Sequence, residues 1–304
     1  MIGLLVIALA AAVEPQAVLT IDPKHRIVEG VASDGRTIWV SSILDRQILA
    51  CTSRCRTIAT LPAGLYPFAI AWDGAQKRLW VAADCPPGIA QIKECDRGAL
   101  IALDRRGRTT AVATLPNGKF HPGDVSVSPA GIFASDSQNG AIYRLGSAGS
   151  LAPLLAPGEG KSAQGTALDE TGQRLIVADY SQGVGAVDLA TGRRIVLKRE
   201  DGKPLRGIDG LVRCGPTYFG IYNGSAPGRL VSFAIGSGQF RDQLILDDPA
   251  PSDTMADPTQ VAFDGTRVLV VADSGWSSID KPDFVRIQGA TVVAFPQPFD
   301  CVIE

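Results

Sequence analysis

The chain has 304 residues, of which 45% are hydrophobic and 20% are charged. Its 29 Lys and Arg against 31 Asp and Glu give a formal net charge of −2. That balance argues against a nucleic-acid-binding protein, which normally shows a basic excess or stripe. It also argues against a disordered chain, because so much apolar side chain with so little net charge can bury a core.

The first predicted element is a signal peptide. The uninterrupted apolar run Ile2–Val13 is too short to cross a bilayer, which takes about 20 residues in a helix. It is typical of the h-region of a secretory signal, and Ala10–Ala12 supplies small residues for cleavage. We therefore predict a signal peptide over 1–12 and a single exported domain over 13–304, periplasmic or secreted. A buried N-terminal strand is the alternative, and no membrane span is expected elsewhere.

Six segments that follow repeat one pattern: a polar residue, a small residue, an apolar strand, a turn with Asp or Gly, and a second apolar strand. Their aligned polar positions are 39 to 55 residues apart. Four strands in each unit of about 40–50 residues are typical of a β-propeller blade. The sequence therefore predicts an all-β, six-bladed propeller with four-stranded blades. A two-sheet sandwich is the alternative, but it would not need six matching units.

The sixth unit lacks an outer strand, because the chain stops soon after ATVVAFP (Ala290–Pro296). The segment AVLTID (Ala17–Asp22) precedes the first unit and has no blade of its own. We predict that this N-terminal strand completes blade six and closes the ring, which leaves only short sheet edges.

The inner strands of a propeller line a central channel, so the six aligned positions at which these strands begin should form a ring at one mouth. These positions are Glu29, Phe68, Gly123, Gln164, Asp209 and Thr259, and the next residue adds Asp124 and Gln260. Crowded carboxylates would repel each other and lose hydration, and a bound cation relieves both problems. Oxygen ligands favour hard ions such as Ca²⁺, Mg²⁺ or Mn²⁺.

These motifs resemble the senescence marker protein/gluconolactonase family, the regucalcin-like six-bladed propellers. The resemblance rests on four stretches, in blades one, three, four and five. They are Glu29-Gly30, Gly123-Asp124-Val125 with Pro129-Ala130-Gly131, Gln164-Gly165, and Ile208-Asp209-Gly210-Leu211. It covers essentially the whole mature chain. It implies a metal-dependent hydrolase that opens a small cyclic ester, a lactone, in the central channel.

The resemblance also implies a site. Glu29, Gln164 and Asp209 become the ligands of one divalent cation, with Ca²⁺ expected first and Mg²⁺, Mn²⁺ or Zn²⁺ as alternatives. Gln164 stands where the family has Asn, so its amide is one methylene longer. Gly123 replaces an Asn that faces the substrate, which predicts an open space there. Asp209 or Asp124 is then expected to take the proton of the attacking water.

Four residues are predicted to contact the substrate: Gly123, His121, Asn223 and Tyr180. His121 lies two residues before Gly123 and is either a base facing the mouth or a solvated loop residue. Trp276 is expected on the rim of the same funnel. A non-catalytic propeller that binds a small ligand or a protein at this funnel is the alternative function. We expect a monomer that binds no nucleic acid.

A second column ends the second strands: Asp84, Asp136, Asp179, Asn223 and Asp273. Because it recurs in five blades, it is interpreted as a turn feature, since Asp and Asn bind nearby backbone N–H groups. Asn223 and Asp136 are the expected exceptions. Three tryptophans within strand patterns are predicted to pack between blades: Trp39, Trp72 and Trp80.

Six cysteines agree with export, because an oxidising compartment preserves disulfides. They are Cys51, Cys55, Cys85, Cys95, Cys214 and Cys301. The first two flank a short hairpin loop, and pairing the middle two would close an insert. The last two would then pair or stay as thiols, and 15 pairings remain open in principle. A zinc site is the alternative, but C-x3-C and C-x9-C match no zinc template and the chain has 2 His.

Overall fold

The structure is a computed structural model that describes residues 15–85, 89, 91–92, 98–116, 120–147, 149–236, 243–247, 255–279 and 289–296. For 243–247 only the strand is described. The predicted signal peptide over 1–12 lies outside these residues, as do Cys95 and Cys301.

The described chain forms six antiparallel sheets, which we number as blades one to six. Blade one contains β2 (Val28–Ser33), β3 (Ile38–Ser42), β4 (Gln47–Cys51) and β5 (Cys55–Thr60). Blade two contains β6 (Tyr66–Asp73), β7 (Arg78–Asp84), β8 (Ala99–Asp104) and β9 (Thr109–Ala113). Blade three contains β10 (Pro122–Ser128), β11 (Gly131–Asp136), β12 (Ile142–Leu145) and β13 (Leu151–Leu155).

Blade four contains β14 (Ala163–Leu168), β15 (Arg174–Asp179), β16 (Gly183–Asp188) and β17 (Arg194–Val196). Blade five contains β19 (Ile208–Cys214), β20 (Thr217–Tyr222), β21 (Arg229–Ile235) and β22 (Gln243–Asp247), with the two-residue β18 (Lys198–Arg199) added parallel at its outer edge. Blade six contains β23 (Val261–Phe263), β24 (Arg267–Val271), β25 (Thr291–Pro296) and β1 (Gln16–Thr20).

The blades form a closed ring. Each inner strand contacts the inner strand of the next blade, and β2 of blade one contacts β23 of blade six. The ring is closed by β1, which pairs antiparallel with β25 so that Ala17 lies opposite Val293. The predicted six-bladed propeller, closed by an N-terminal strand, is confirmed, and the sandwich alternative is wrong.

Apolar side chains between adjacent blades form the core. Trp39 of blade one stacks on Trp72 of blade two with ring centroids 4.7 Å apart. Trp80 of blade two packs in one cluster with Phe120 and Tyr143 at blade three. The prediction that these tryptophans join blades is confirmed. Each such contact stabilises the ring because it removes two apolar surfaces from water together.

The inner strands carry an irregularity at one shared place. In each of blades one to five the pairing with the second strand shifts register where the aligned column falls, for example between Val28 and Val31 and between Ile208 and Leu211. Blade six repeats this feature, because the N–H of Thr259 and the C=O of Gln260 both bond Val271. An extra residue bends a strand and re-aims its side chain. The bulges therefore give the six column residues a common orientation.

Glycine after the column residue lets neighbouring blades approach. A Cβ at Gly30 would lie 2.5 Å from the carbonyl oxygen of Phe68, and a Cβ at Gly165 would lie 2.3 Å from the N of Leu211. Both distances are below van der Waals contact, so only glycine fits there. The Glu-Gly and Gln-Gly pairs of the sequence therefore mark where inner strands pack backbone to backbone.

Cysteine chemistry agrees with part of the prediction. Cys51 and Cys55 face each other across β4 and β5 and form a disulfide. Cys85 and Cys214 each take part in a disulfide as well, and no described cysteine is a free thiol. Along the described residues, no helix combines the length and apolar character that crossing a membrane requires.

Candidate functional site

The aligned column meets at one mouth of the channel. Thr259 Oγ1 of blade six donates to the backbone oxygen of Glu29 in blade one at 3.0 Å. Phe68 of blade two stacks on Trp276, with ring centroids 6.3 Å apart. The column therefore gathers an acid, an aromatic ring and a hydroxyl from three blades that follow one another around the ring.

Glu29 is buried at this mouth, with 7% of its surface exposed. Its carboxylate accepts a hydrogen bond from the indole N–H of Trp276. Burial raises the pKa of Glu29 well above its usual value, and the negative charge of Asp209 raises it further, against the stabilising indole bond. The two acids that were predicted to share a cation are therefore close enough to repel each other.

Asp209 is held by Asn223. The Nδ2 of Asn223 donates to Asp209 Oδ2 at 3.0 Å and to the backbone oxygen of Pro258 at 3.1 Å. Burial raises the pKa of Asp209 to about 6. The remaining polar atom, Asn223 Oδ1, is buried without a hydrogen-bond partner among the described residues. The described residues thus offer no donor to this acceptor oxygen next to Asp209.

Asp124 and Gln260 form a floor below the mouth. Gln260 Nε2 donates to Asp124 Oδ2 at 3.1 Å, and the N–H of Val125 donates to Asp124 Oδ1 at 2.6 Å. Blades three and six face each other in a ring of six, so this side-chain pair crosses the axis. Burial raises the pKa of Asp124 to about 7. Each oxygen of Asp124 therefore already accepts a hydrogen bond, one of them from the opposite side of the axis.

The open space predicted at Gly123 is absent. A Cβ at this position would lie 2.9 Å from Gln164 Oε1 and 2.9 Å from Ser137 Cβ. Gln164 also places its Nε2 3.4 Å from Ser162 Oγ. The longer amide of blade four thus fills the room left by the missing side chain of blade three, and the two departures from the family pattern compensate each other.

His121 belongs to a buried bridge between blades two and three. Its Nδ1 lies 3.0 Å from Asp84 Oδ1, and its backbone N–H donates to Asp136 Oδ2 at 3.1 Å. Asp84 is 3% exposed, and burial raises its pKa although His121 opposes this. His121 is therefore a fixed residue beside the mouth, not a freely solvated loop residue.

Two members of the second column have the expected turn role. Asp136 Oδ1 accepts from the N–H groups of Gln138 and Asn139, and Asp179 accepts from those of Ser181 and Gln182. These are turn roles, so the expectation that Asp136 is an exception is wrong. Asn223 is a genuine exception, because its amide binds Asp209.

Tyr180 and Asp257 complete the surroundings of the acids. The pKa of Tyr180 is raised by burial and then by the charges of Asp209 and Tyr222, which puts its phenol near the site. Asp257 was not predicted from the sequence. It accepts a hydrogen bond from the N–H of Ser277 at 2.9 Å, and its negative charge also raises the pKa of Glu29. Its signal in the sequence is weak, an Asp-Pro just before the column in blade six.

The residues at this mouth fit a hard cation. Within the described part of the chain, the hydrogen-bond partners of Glu29, Asp124 and Asp209 are amides, an indole and a backbone N–H, so no positive side chain neutralises these acids. No three His, Cys, Asp or Glu side chains of that part group closely enough to hold a metal by themselves. A ligand set at this mouth would therefore need an amide oxygen, and the Asn223 Oδ1, which has no partner among the described residues, is one such oxygen.

A second concavity lies away from the channel. It encloses about 780 Å³ between blades four and five and is lined by residues that include Asp169, Arg174 and Tyr218. Asp169 pairs with Arg174 at 3.0 Å, and its pKa is lowered because hydrogen bonds from Arg174 outweigh burial. This acid is already neutralised by the protein, unlike those at the mouth.

Solved structures share this fold. No protein-family model and no curated protein sequence matches the chain. A gluconolactonase from Xanthomonas campestris is 17% identical, with a TM-score of 0.62 over 94% of this chain and 95% of the other. Luciferin-regenerating enzyme is 14% identical, with a TM-score of 0.64 over 93% and 96%. Virginiamycin B lyase from Staphylococcus aureus is 14% identical, with a TM-score of 0.61 over 89% and 80%.

These similarities concern the fold. The resemblance to gluconolactonase-type propellers is thus confirmed as a shared six-bladed architecture. Structures with this fold carry different activities, since a lyase stands beside a lactonase. Function must therefore be argued from the site.

Proposed function

We propose that the chain is a cation-dependent hydrolase of lactones that acts at the Glu29–Asp209 mouth of the channel. One observation carries the proposal: two buried acids repel each other there and have no positive partner among the described residues, and the Asn223 oxygen beside them has no partner among those residues either. Buried charges are normally paired or bind a metal. The shared fold with gluconolactonases supports the same chemistry.

The ligands in this proposal are three side-chain oxygens at the mouth. Glu29 and Asp209 supply carboxylates, and the third ligand is an amide oxygen from Gln164 or Asn223. When bound, a divalent cation such as Ca²⁺ would polarise the lactone carbonyl and stabilise the negative charge that develops on its oxygen. The chain's own contribution is to hold these oxygens in place before the ion arrives.

Asp209 is the proposed proton acceptor. Its Oδ2 is fixed by Asn223, which leaves Oδ1 to take a proton from the attacking water. The water oxygen bonds to the acyl carbon, and the ring C–O bond breaks. The ring oxygen then receives the proton from Asp209, so the product is an open hydroxy acid. Asp124 is less suited to this step, because both its oxygens already accept hydrogen bonds.

Other residues position the reaction. The Trp276 indole orients Glu29, and Tyr180 lies near Asp209, where a phenol can contact the substrate. The Asp124–Gln260 pair spans the axis of the channel, and in this proposal substrate and product use the mouth at Glu29 and Asp209. His121 borders this mouth in a fixed orientation.

A ligand-binding propeller without catalysis is the second candidate. It is favoured by one observation: Gln164 Oε1 points toward blade three, where it fills the space at Gly123. In this orientation the Gln164 oxygen packs at Gly123, and no Asn side chain stands at position 123 to face a lactone. Such a protein would use the same mouth, with small ligands or a protein as partners.

One assay separates the two functions. The mature protein is freed of metal, supplied with Ca²⁺, Mg²⁺, Mn²⁺ or Zn²⁺, and tested for acid release from sugar, alkyl and aryl lactones. We expect turnover that EDTA abolishes, together with a rise in melting temperature on adding the ion. No turnover with any ion, and no ion-dependent rise in melting temperature, would remove the hydrolase proposal.

Export is also proposed. The Cys51–Cys55 disulfide and the disulfide-bonded state of the other described cysteines are compatible with an oxidising compartment. Expression with residues 1–12 and without them tests this, because only the full chain should reach the periplasm of a bacterial host.

A further inference from the structure

The mouth has one apolar side. Phe68 and Trp276 stack on each other and are partly exposed. They lie on a buried cluster of Ile27, Ile43 and Tyr66 with Cys85. Leu44, Ile92 and Ile279 pack partly exposed against the same cluster. We call the stacked pair Phe68 and Trp276 the aromatic wall; it belongs to blades two and six.

The aromatic wall adjoins the reacting centre. Trp276 donates its indole N–H to the Glu29 carboxylate, so a molecule held at Glu29 lies beside this ring. Phe68 is itself a column residue, and its backbone oxygen is fixed by Ser41 Oγ at 2.6 Å. The wall is thus rigid and continuous with the proposed ligands.

A sugar lactone would fit this side poorly. Each buried hydroxyl needs a hydrogen-bond partner, and one left unpaired costs about 1–3 kcal/mol. The indole N–H of the wall is already donated to Glu29, and Phe68 has no polar atom to offer. Apolar groups, in contrast, gain about 0.8 kcal/mol for each CH₂ buried there.

We infer that this site takes lactones with an alkyl or aryl substituent, which lies against Phe68 and Trp276, in preference to polyhydroxylated sugar lactones. The inference rests on the proposed hydrolase function and names its substrate class. The chemistry is unchanged: water adds to the acyl carbon, the ring C–O bond breaks, and the product is a hydroxy acid that carries the same apolar substituent.

A homologous series tests the inference. The parent protein is assayed with δ-valerolactone, with δ-lactones that carry tails of one to five carbons, and with D-glucono-δ-lactone. We expect kcat/KM to rise about three- to fourfold per added CH₂, as the burial energy predicts, and gluconolactone to be the poorest. A flat series, or gluconolactone as the best substrate, overturns the inference.

Variants then locate the effect. Phe68→Ala should reduce the rise to below about twofold per CH₂, whereas Phe68→Leu should keep most of it. Val112→Ala is the matched control, since Val112 is an exposed apolar residue on the outer strand β9 of blade two. A folded Phe68→Ala protein that keeps the full rise contradicts the assignment. If it fails to fold, Phe68→Gln takes its place.

A binding arm separates this inference from the hydrolase proposal. δ-Valerolactam and its 6-pentyl derivative, which resist hydrolysis, are titrated by calorimetry without added metal. Tail-dependent binding in the parent that Phe68→Leu keeps and Phe68→Gln loses supports the wall even if no lactone is hydrolysed. Equal affinity for the two lactams overturns it, whatever the assay of turnover shows.

Discussion

Acidic side chains in two regions of this propeller behave in opposite ways. In the hairpin turns, Asp104 and Asp264 have lowered pKa values. At the channel, Glu29, Asp124 and Asp209 have raised ones. The residue types are similar, so the difference lies in the surroundings: the turns supply arginine and backbone N–H groups, and the channel supplies burial with neutral partners.

The turn acids serve the fold. Asp264 Oδ1 accepts from the N–H groups of Thr266 and Arg267, and its Oδ2 accepts from the Arg267 guanidinium at 2.9 Å. Burial works against its ionisation, but these bonds outweigh it. The turn thus satisfies its own charge, whereas the channel leaves its acids uncompensated. Proteins retain such uncompensated charge where function requires it.

The largest expected effect follows from removing a channel acid. Asp209→Asn should lower kcat/KM for a lactone by about 10³-fold or more, because the proton acceptor and a cation ligand are lost together. The folded protein should melt no lower without metal, since a repelling charge has gone. Steady-state kinetics and thermal melts measure both. A variant with at least a tenth of parental activity would break the contrast between the two regions.

The pH dependence of stability should differ between regions. The pKa of Asp124 in the folded protein, about 7, lies above its usual 3.8. The stabilisation of the folded state by this carboxyl group is therefore full below pH 4 and is lost as pH rises through 7. The loss is on the order of 4 kcal/mol, at about 1.4 kcal/mol per pKa unit. Metal-free protein should therefore lose stability to urea from pH 4 to 7, and a divalent cation should offset the loss.

A control sharpens this prediction. Asp124→Asn should reduce the fall in the free energy of unfolding between pH 4 and 7, whereas Asp264→Asn should not. The pKa of Asp264 is lowered, so the stabilisation that this acid provides is lost as pH falls, not as it rises. Urea unfolding at each pH provides the measurement. If the free energy of unfolding of Asp124→Asn falls with pH as steeply as that of the parent, Asp124 is already ionised in the folded protein at pH 5.

A turn acid should matter for stability alone. Asp264→Ala should lower the free energy of unfolding by about 1–3 kcal/mol, because the part-buried N–H groups of Thr266 and Arg267 lose their acceptor. Lactone turnover should stay at the parental level below the melting temperature. Loss of turnover in the folded variant would show that the two regions are not independent.

The smallest effect is expected at the arginine of the same turn. The Arg267 side chain is 41% exposed and its guanidinium lies 2.8 Å from Asp264, so Arg267→Met should cost only about 0–1 kcal/mol. Urea unfolding of Arg267→Met and of Asp264→Ala then separates the stability that comes from the backbone hydrogen bonds to Asp264 from the stability that comes from its ion pair. A loss of more than about 2 kcal/mol in the free energy of unfolding of Arg267→Met would show that the salt bridge, and not the backbone hydrogen bonds, stabilises this turn.

Much of the fold could be predicted from the sequence, because each blade repeats one strand–turn–strand pattern. The closing strand followed from an unmatched segment, Ala17–Asp22, and an incomplete last unit. The column that carries Glu29 and Asp209 followed from the same alignment, and in the structure the charge of Asp209 raises the pKa of Glu29. Periodicity is enough here because it decides which residues begin an inner strand.

Contacts across the axis could not be predicted this way. The Asp124–Gln260 bond joins blades that are far apart in sequence, and its length depends on the width of the ring. The compensation between Gly123 and Gln164 depends on how far one side chain reaches into the next blade. The indole bond of Trp276 to Glu29 belongs to the same class, since it depends on where a loop after β24 returns.

Calorimetric titration of Ca²⁺ and Mn²⁺ into metal-free protein tests the central claim most directly. The account predicts one binding site per chain in the parent and in Asp264→Asn, and none in Asp209→Asn. Binding by Asp209→Asn as tight as that of the parent would contradict it, because the cation would then have its ligands elsewhere.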